Sequence, residues 1–223
     1  MNTHSTDTHS PATRSGAREH GYALIALLAL MTVLMITMMA AAPSIRQQSR
    51  RNLELEAIAR GEEVAEAIRM YIHLKNAPPT SMEELLEGVA PPGRTKKVMV
   101  LRASAARDPL SESGEWRTIK ANDREFVGFI RSLAEYGEGK LPNAAGTDSH
   151  PSMTAIANTL PRINSIVTGL DTETISGASG GEDDSLSSKG PFVGVSSRSR
   201  RESIITYYGI DRHDGWVFTP FYR

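Results

Sequence analysis

Hydrophobic positions fall along the chain in three patterns. From Gly21 to Ala42 the sequence reads GYALIALLALMTVLMITMMAAA, with no charged residue. Glu19 and His20 precede it and Pro43 follows it. As a helix this run is roughly 33 Å long at about 1.5 Å per residue, enough to cross a hydrocarbon core of about 30 Å. The pattern then becomes periodic. Ala57, Gly61, Val64, Ile68 and Tyr71 or Ile72 recur at helical spacing, which predicts one apolar stripe on a helix ending before Pro78-Pro79. Glu56 and Arg60 form an i,i+4 pair on its outer side. A bend rather than a stop is expected at Pro43. Gly61 predicts either flexing or a close approach to a sheet.

Beyond the proline pair the pattern shortens. Thr80-Ser81-Met82-Glu83-Glu84 offers two overlapping capping boxes, Thr80 with Glu83 and Ser81 with Glu84. They predict a helix to about Glu87, stopped by Gly88. Lys97 to Leu101 has strand character. Arg107-Asp108-Pro109-Leu110 reads as a turn, and Glu115 to Ile119 as a strand with a buried Trp116. Phe126 to Tyr136 predicts a short helix with Phe126, Phe129, Ile130 and Leu133 on one face. Residues 137 to 162 read as loop, and 176 to 190 (SGASGGEDDSLSSKG) as a flexible acidic loop. Pro191 to Val195, Ser203 to Tyr208 and Trp216 to Thr219 are strand candidates. Gly209 and the Asp211, Asp214, Gly215 cluster would turn between the last two. The class expected is α+β: a long N-terminal helix, transmembrane half plus amphipathic half, packed on a small antiparallel sheet with flexible loops.

Composition narrows the function. The net charge of -1 gives no electrostatic case for nucleic acid. The absence of cysteine excludes disulfides, thiolate metal sites and a cysteine nucleophile. Gly177-Ala178-Ser179-Gly180-Gly181 spells G-x-S-x-G, but that motif needs a strand before it and a helix after it, and its flanks are loop-like. No H-E-x-x-H occurs among the six histidines. His213 beside Asp211 and Asp214 reads as a solvated turn rather than a dyad, and SRSRR at 197–201 as a solvated loop or edge strand. The methionines of the span (Met31, Met35, Met38, Met39) read as packing residues. Glu182-Asp183-Asp184 and Asp211/Asp214 are two acidic groups that could supply oxygen ligands to calcium, but they show no ligand pattern, so no cofactor or metal residue is assigned. The reading is non-enzymatic.

The polar, arginine-bearing leader and the run Arg18-Glu19-His20-Gly21-Tyr22-Ala23-Leu24-Ile25 resemble the processing site of type IV prepilins and type II secretion pseudopilins. Pro43 stands at the distance from Tyr22 at which that family carries its proline. The PTSMEELLEG passage, the Asp-Pro then Gly-Glu-Trp pair, GPFVGV, SRSRRESI and the terminal Trp-x-Phe are similar to one pseudopilin-like subset. The resemblance touches both ends and leaves 120–190 uncovered. It implies a cleaved leader (1–21), an N-terminal transmembrane and stalk helix (22–75) and an exported pilin-like domain (76–223). It implies cleavage after Gly21 by prepilin peptidase and a methylated Tyr22. The implied partners are other pilin-like subunits, an inner-membrane assembly platform and lipid. The implied location is a single-pass inner-membrane protein, its leader cytoplasmic and its domain periplasmic. Arginines on both sides of the span leave orientation open on charge alone. Ala26 stands where most of the family has the glutamate that pairs with a neighbour's N-terminus, which leans toward a minor subunit. Two alternatives stay open: a minor pilin of a type IV pilus, and a signal-anchored periplasmic binding protein or enzyme.

Overall fold

The computed structural model describes residues 16–142, 148–161 and 190–222; side chains at 16–20 and 40–44 are outside that description. The chain divides into two units, Met1–Gln48 and Ser49–Arg223. Helix α1 is assigned from Gly16 to Lys75, and its helical backbone runs on through Pro43. It stops where Asn76 turns left-handed, with φ 58°, and bonds back to the carbonyl of Ile72 at 2.8 Å. Ala77-Pro78-Pro79 cannot extend the helix.

The first unit contributes the apolar stretch of α1. Gly21–Met39, 19 residues, is long and apolar enough to cross a membrane. Every side chain along it is exposed.

The second unit is α+β. It adds α2 (Met82–Glu87), β1 (Arg117–Ile119), α3 (Arg124–Tyr136), α4 (Pro151–Ala157), β2 (Gly194–Ser196), β3 (Glu202–Tyr207), β4 (Ile210–Arg212), a 3-10 turn (His213–Gly215) and β5 (Val217–Phe218). One antiparallel sheet has the order β1-β2-β5, with Thr118 opposite Val195 and Val195 opposite Phe218. A separate hairpin pairs β3 with β4. The sheet lies between two helices, so β2 and β5 are buried along their whole length. Phe218 faces α1 at Gly61, where an added Cβ would lie 2.3 Å from the ring. The expected close approach of helix and sheet at Gly61 is therefore observed. Alternation puts Arg117 on the other face, where it ion-pairs with Glu125 of α3 at 3.0 Å. The core joins Val64, Ile68 and Ile72 of α1 to Phe126 and Ile130 of α3 and to Phe192, Trp216, Phe218 and Phe221.

Several expected elements take the expected form. The stripe Ala57, Gly61, Val64, Ile68 and Ile72 is buried, Glu56 pairs with Arg60, and Trp116 is buried with its indole N–H on the carbonyl of Ala105 at 2.9 Å. Gly88 does stop α2, with φ 78°. It is also needed for space, because a Cβ there would meet the Val98 carbonyl oxygen at 2.6 Å.

Others differ. Lys97–Leu101 forms no strand. Val98 makes one isolated bridge to Val89, and Val100 and Leu101 instead plug the core. The capping boxes are not formed as spaced. Thr80 bonds to Glu84 rather than Glu83, and Ser81 makes no side-chain cap. The physical reason is a competitor from α1: the Tyr71 hydroxyl donates to Glu84 at 2.7 Å. Within 137–162 the chain forms α4, which starts with Pro151 in the first turn, where proline is tolerated, and buries Met153. Between the last two expected strands the chain inserts β4 and the 3-10 turn, so β3 pairs with β4 and not with β5. The stretch 176–189, including the G-x-S-x-G spelling and Glu182-Asp183-Asp184, lies outside the described residues.

Candidate functional site

Two places in the chain concentrate unusual physics. The first is the start of the apolar stretch. Gly21 sits inside α1, yet a Cβ built there would meet nothing within 4 Å. Glycine within a helix costs about 1 kcal/mol against alanine, and no packing contact among the described residues offsets that cost. Tyr22 follows with 78% of its surface exposed, and Ala26 lies one turn on, also exposed. The hydroxyl of Thr32 donates to the carbonyls of Leu28 and Ala29 (3.1 and 2.8 Å), and that of Thr37 to Leu34 at 2.8 Å. Hydroxyls satisfied by their own helix suit an environment with no water to bond them. Pro43 lies in the helical backbone of α1, with its side chain outside the described residues.

The second place is a polar ladder between α1 and β3. A guanidinium N–H of Arg50 donates to the carbonyl of Glu202. The Glu54 carboxylate accepts the N–H groups of Ile204 (2.9 Å) and Ile205 (2.9 Å). The Tyr207 hydroxyl donates to Glu62. From residue 50 to 62 a helix rises roughly 18 Å; from 202 to 207 a strand rises roughly 17 Å. The strand thus runs beside the helix with anchors in step. Consecutive N–H groups of a regular strand point to opposite sides. The register shift within Glu202–Tyr207 is what lets two in succession face one carboxylate.

Glu54 is fully buried, and its second partner is His213, 2% exposed, whose Nε2 lies 3.1 Å from Glu54 Oε1. On the far side His213 Nδ1 meets the Ser199 hydroxyl at 3.1 Å. Arg50 Nε approaches the same carboxylate at 3.5 Å. The expectation of a solvated turn at His213 is therefore wrong. The ring turns inward, against Trp216 at 5.0 Å, to a carboxylate 159 residues away. Asp211 is exposed, and Asp214 is held by Arg212 at 2.9 Å. Both imidazole nitrogens are taken up by Glu54 and Ser199, so the ring is built in as a strut.

A second buried carboxylate repeats the device. Asp108, 2% exposed, accepts the Ser197 hydroxyl at 2.7 Å, the Arg198 N–H at 3.4 Å and the Leu110 N–H at 2.9 Å. The Asp-Pro turn and the 197–201 run are thereby joined. That run is not uniformly solvated: Ser197 is buried, while Arg198 and Arg201 reach Glu115 (3.8 Å) and Glu112 (3.4 Å) of the same chain. Glu54 was missed in the sequence, though a signal exists. It continues the buried stripe one step toward the N-terminus of Ala57, and a carboxylate on an apolar stripe needs a partner.

Among the described residues no three His, Asp or Glu side chains converge as metal ligands. An apolar groove of about 390 Å³ lies between Pro78, Ala121, Ile156, Pro191 and Val193. No family model, curated protein or solved structure matches the chain.

Proposed function

We propose that the chain is a pilin-like structural subunit of a type II secretion pseudopilus or a related type IV filament. Prepilin peptidase cuts after Gly21, and the new N-terminal Tyr22 is methylated. The apolar stretch then holds the subunit in the inner membrane and packs against other pilin-like subunits after an assembly platform has extracted it. The domain lies on the periplasmic side, and added subunits push the filament outward. No catalysis by this chain is needed.

The observation that carries this reading is Gly21: a glycine within a helix, where a side chain would meet nothing, at the head of an exposed apolar run. No contact among the described residues calls for a glycine there, which is compatible with a glycine kept for recognition by a peptidase. The ladder of Arg50, Glu54 and Glu62 supports a mechanical role, since it fixes the C-terminal hairpin to the same helix that continues the apolar run. Ala26 supports a place other than that of the main repeating subunit, because an apolar residue there offers a neighbour's N-terminal ammonium no counter-charge.

Mass spectrometry of the N-terminus of the mature protein tests the reading. The expected result is a chain starting at N-methylated Tyr22. A mature chain that retains residues 1–21, or that starts after Ala42, overturns it.

A further inference from the structure

The segment between α2 and β1 presents a basic finger outside both places described above. From Gly88 to Arg107 the chain carries Arg94, Lys96, Lys97, Arg102 and Arg107 and no acidic residue, although its overall charge is -1. Arg102 is taken up by Glu63 of α1 at 2.7 Å, and Lys97 reaches Glu87 at 3.5 Å. Every residue from Arg94 to Met99 is exposed, Val98 at 42% and Met99 at 69%.

The finger is held in one shape from both ends. At its base Val89 and Val98 exchange two backbone hydrogen bonds, at 2.9 and 2.8 Å, and just beyond it Val100 and Leu101 are sunk in the core. At its tip the Arg94 N–H donates to the Pro91 carbonyl at 3.0 Å, with Gly93 at φ 77° between them. Proline followed by a glycine of positive φ is the pair that a type II turn asks for. Proline at 91 and 92 and a fixed base leave little conformational freedom to lose on binding. No side chain from Arg94 to Met99 is buried, so the domain's own core does not account for the shape. An exposed segment positioned by a rigid scaffold is where recognition is carried.

Cations beside an exposed valine and methionine set the chemistry of the partner. A purely acidic segment would leave Val98 and Met99 in water. A purely apolar one would strip water from Lys96 and Lys97 and return no counter-charge. A segment that interleaves carboxylates with aliphatic side chains satisfies both. We propose that the 91–99 finger is a docking surface for an acidic segment of another protein that also carries aliphatic side chains. Such docking is independent of the filament reading and needs no leader cleavage.

Fluorescence anisotropy of a labelled peptide of Glu-Glu-Leu repeats, titrated with the full chain in neutral detergent micelles and with empty micelles as the blank, tests it. Binding should weaken about ten-fold or more in Arg94→Glu/Lys96→Glu, and also when salt is raised from about 50 mM to about 0.5 M. Met99→Ser should weaken it about three-fold or more, through lost apolar contact. Arg131→Glu/Lys140→Glu, the same charge change at exposed positions elsewhere, should bind like the wild type. Absence of binding by the wild type overturns the proposal. So does an equal loss in Arg131→Glu/Lys140→Glu, which leaves only an effect of net charge. Full displacement of the peptide by an equal concentration of phosphatidylglycerol assigns the finger to lipid and overturns it as well.

Discussion

Replacing Gly61 by alanine sets two opposed effects against each other. In an exposed helix the change would stabilise by about 1 kcal/mol, the propensity difference between the residues. Here the new Cβ would lie 2.3, 2.4 and 2.5 Å from three ring atoms of Phe218. Carbon atoms rest at about 3.5–4.0 Å, so ring or helix must retreat by roughly 1 Å or more. The ring has nowhere to go. It is fully buried, with Trp116 edge-on at 5.7 Å and Tyr207 at 5.2 Å. Overpacking of a filled core costs about 1–3 kcal/mol, occasionally more, and a displacement of this size belongs at the upper end. The net expectation is a loss of about 1–2 kcal/mol, or about 2–8 °C in Tm for a domain in the 150–250-residue range. Thermal melts of the full chain in detergent, followed by near-UV circular dichroism at Trp116 and Trp216, measure it. Phe218→Leu in the Gly61→Ala background should restore part of the loss, with a coupling above about 0.5 kcal/mol in the double-mutant cycle. A raised Tm for Gly61→Ala, or strict additivity with Phe218→Leu, would refute the packing argument.

Three further outcomes follow from the same geometry. Gly21→Ala should leave folding intact, because its Cβ meets nothing, yet leave the protein uncut, as seen by gel mobility and intact mass; normal processing of this variant counts against the proposed function. Glu54→Ala should cost about 3–5 kcal/mol by leaving the buried His213 ring and the Ile204 and Ile205 N–H groups without their carboxylate, read as a drop in denaturant midpoint, and a loss below about 1 kcal/mol would show that the ladder is dispensable. Burial raises the Asp148 carboxyl, but hydrogen bonds from His150, His73 and Arg69 outweigh it and hold the group below the usual carboxylate range; its contribution is therefore present above the unfolded value of about 3.9 and lost as pH falls through the lower folded value. Asp148→Asn should accordingly lower Tm at about pH 7, with the difference from wild type closing in strong acid, and a difference that persists there would reverse the sign assigned to this carboxylate.

Much of the fold was legible because its signals are local. The apolar run, the stripe from Ala57 to Ile72, the Phe126–Leu133 face and the stops at Pro78-Pro79 and Gly88 each follow from residues within or next to one element. The proposed processing site at Gly21 and Tyr22 rests on a motif continuous in sequence. The Glu54–His213–Ser199 chain was not legible, because its members stand on α1, in a loop and in a 3-10 turn. The apparent partners of His213, Asp211 and Asp214, are neighbours in sequence but not in space. Lys97–Leu101 shows the same limit from the other side. Its residues suit a strand, but a strand needs a neighbour along its length, and only Val89 is there.

The sequence alone determined where a membrane could be crossed, that a helix carries one apolar face away from that crossing, and that the remainder is α+β. Those properties depend on hydrophobic periodicity, which each segment carries within itself. Tertiary structure decided which strands pair, that Gly61 exists for the Phe218 ring, and that two buried carboxylates tie the C-terminal segments to α1 and to the Asp-Pro turn. The physical reason is that burial of a charge is possible only where distant donors converge. Convergence belongs to the folded chain, and no stretch of it contains the answer.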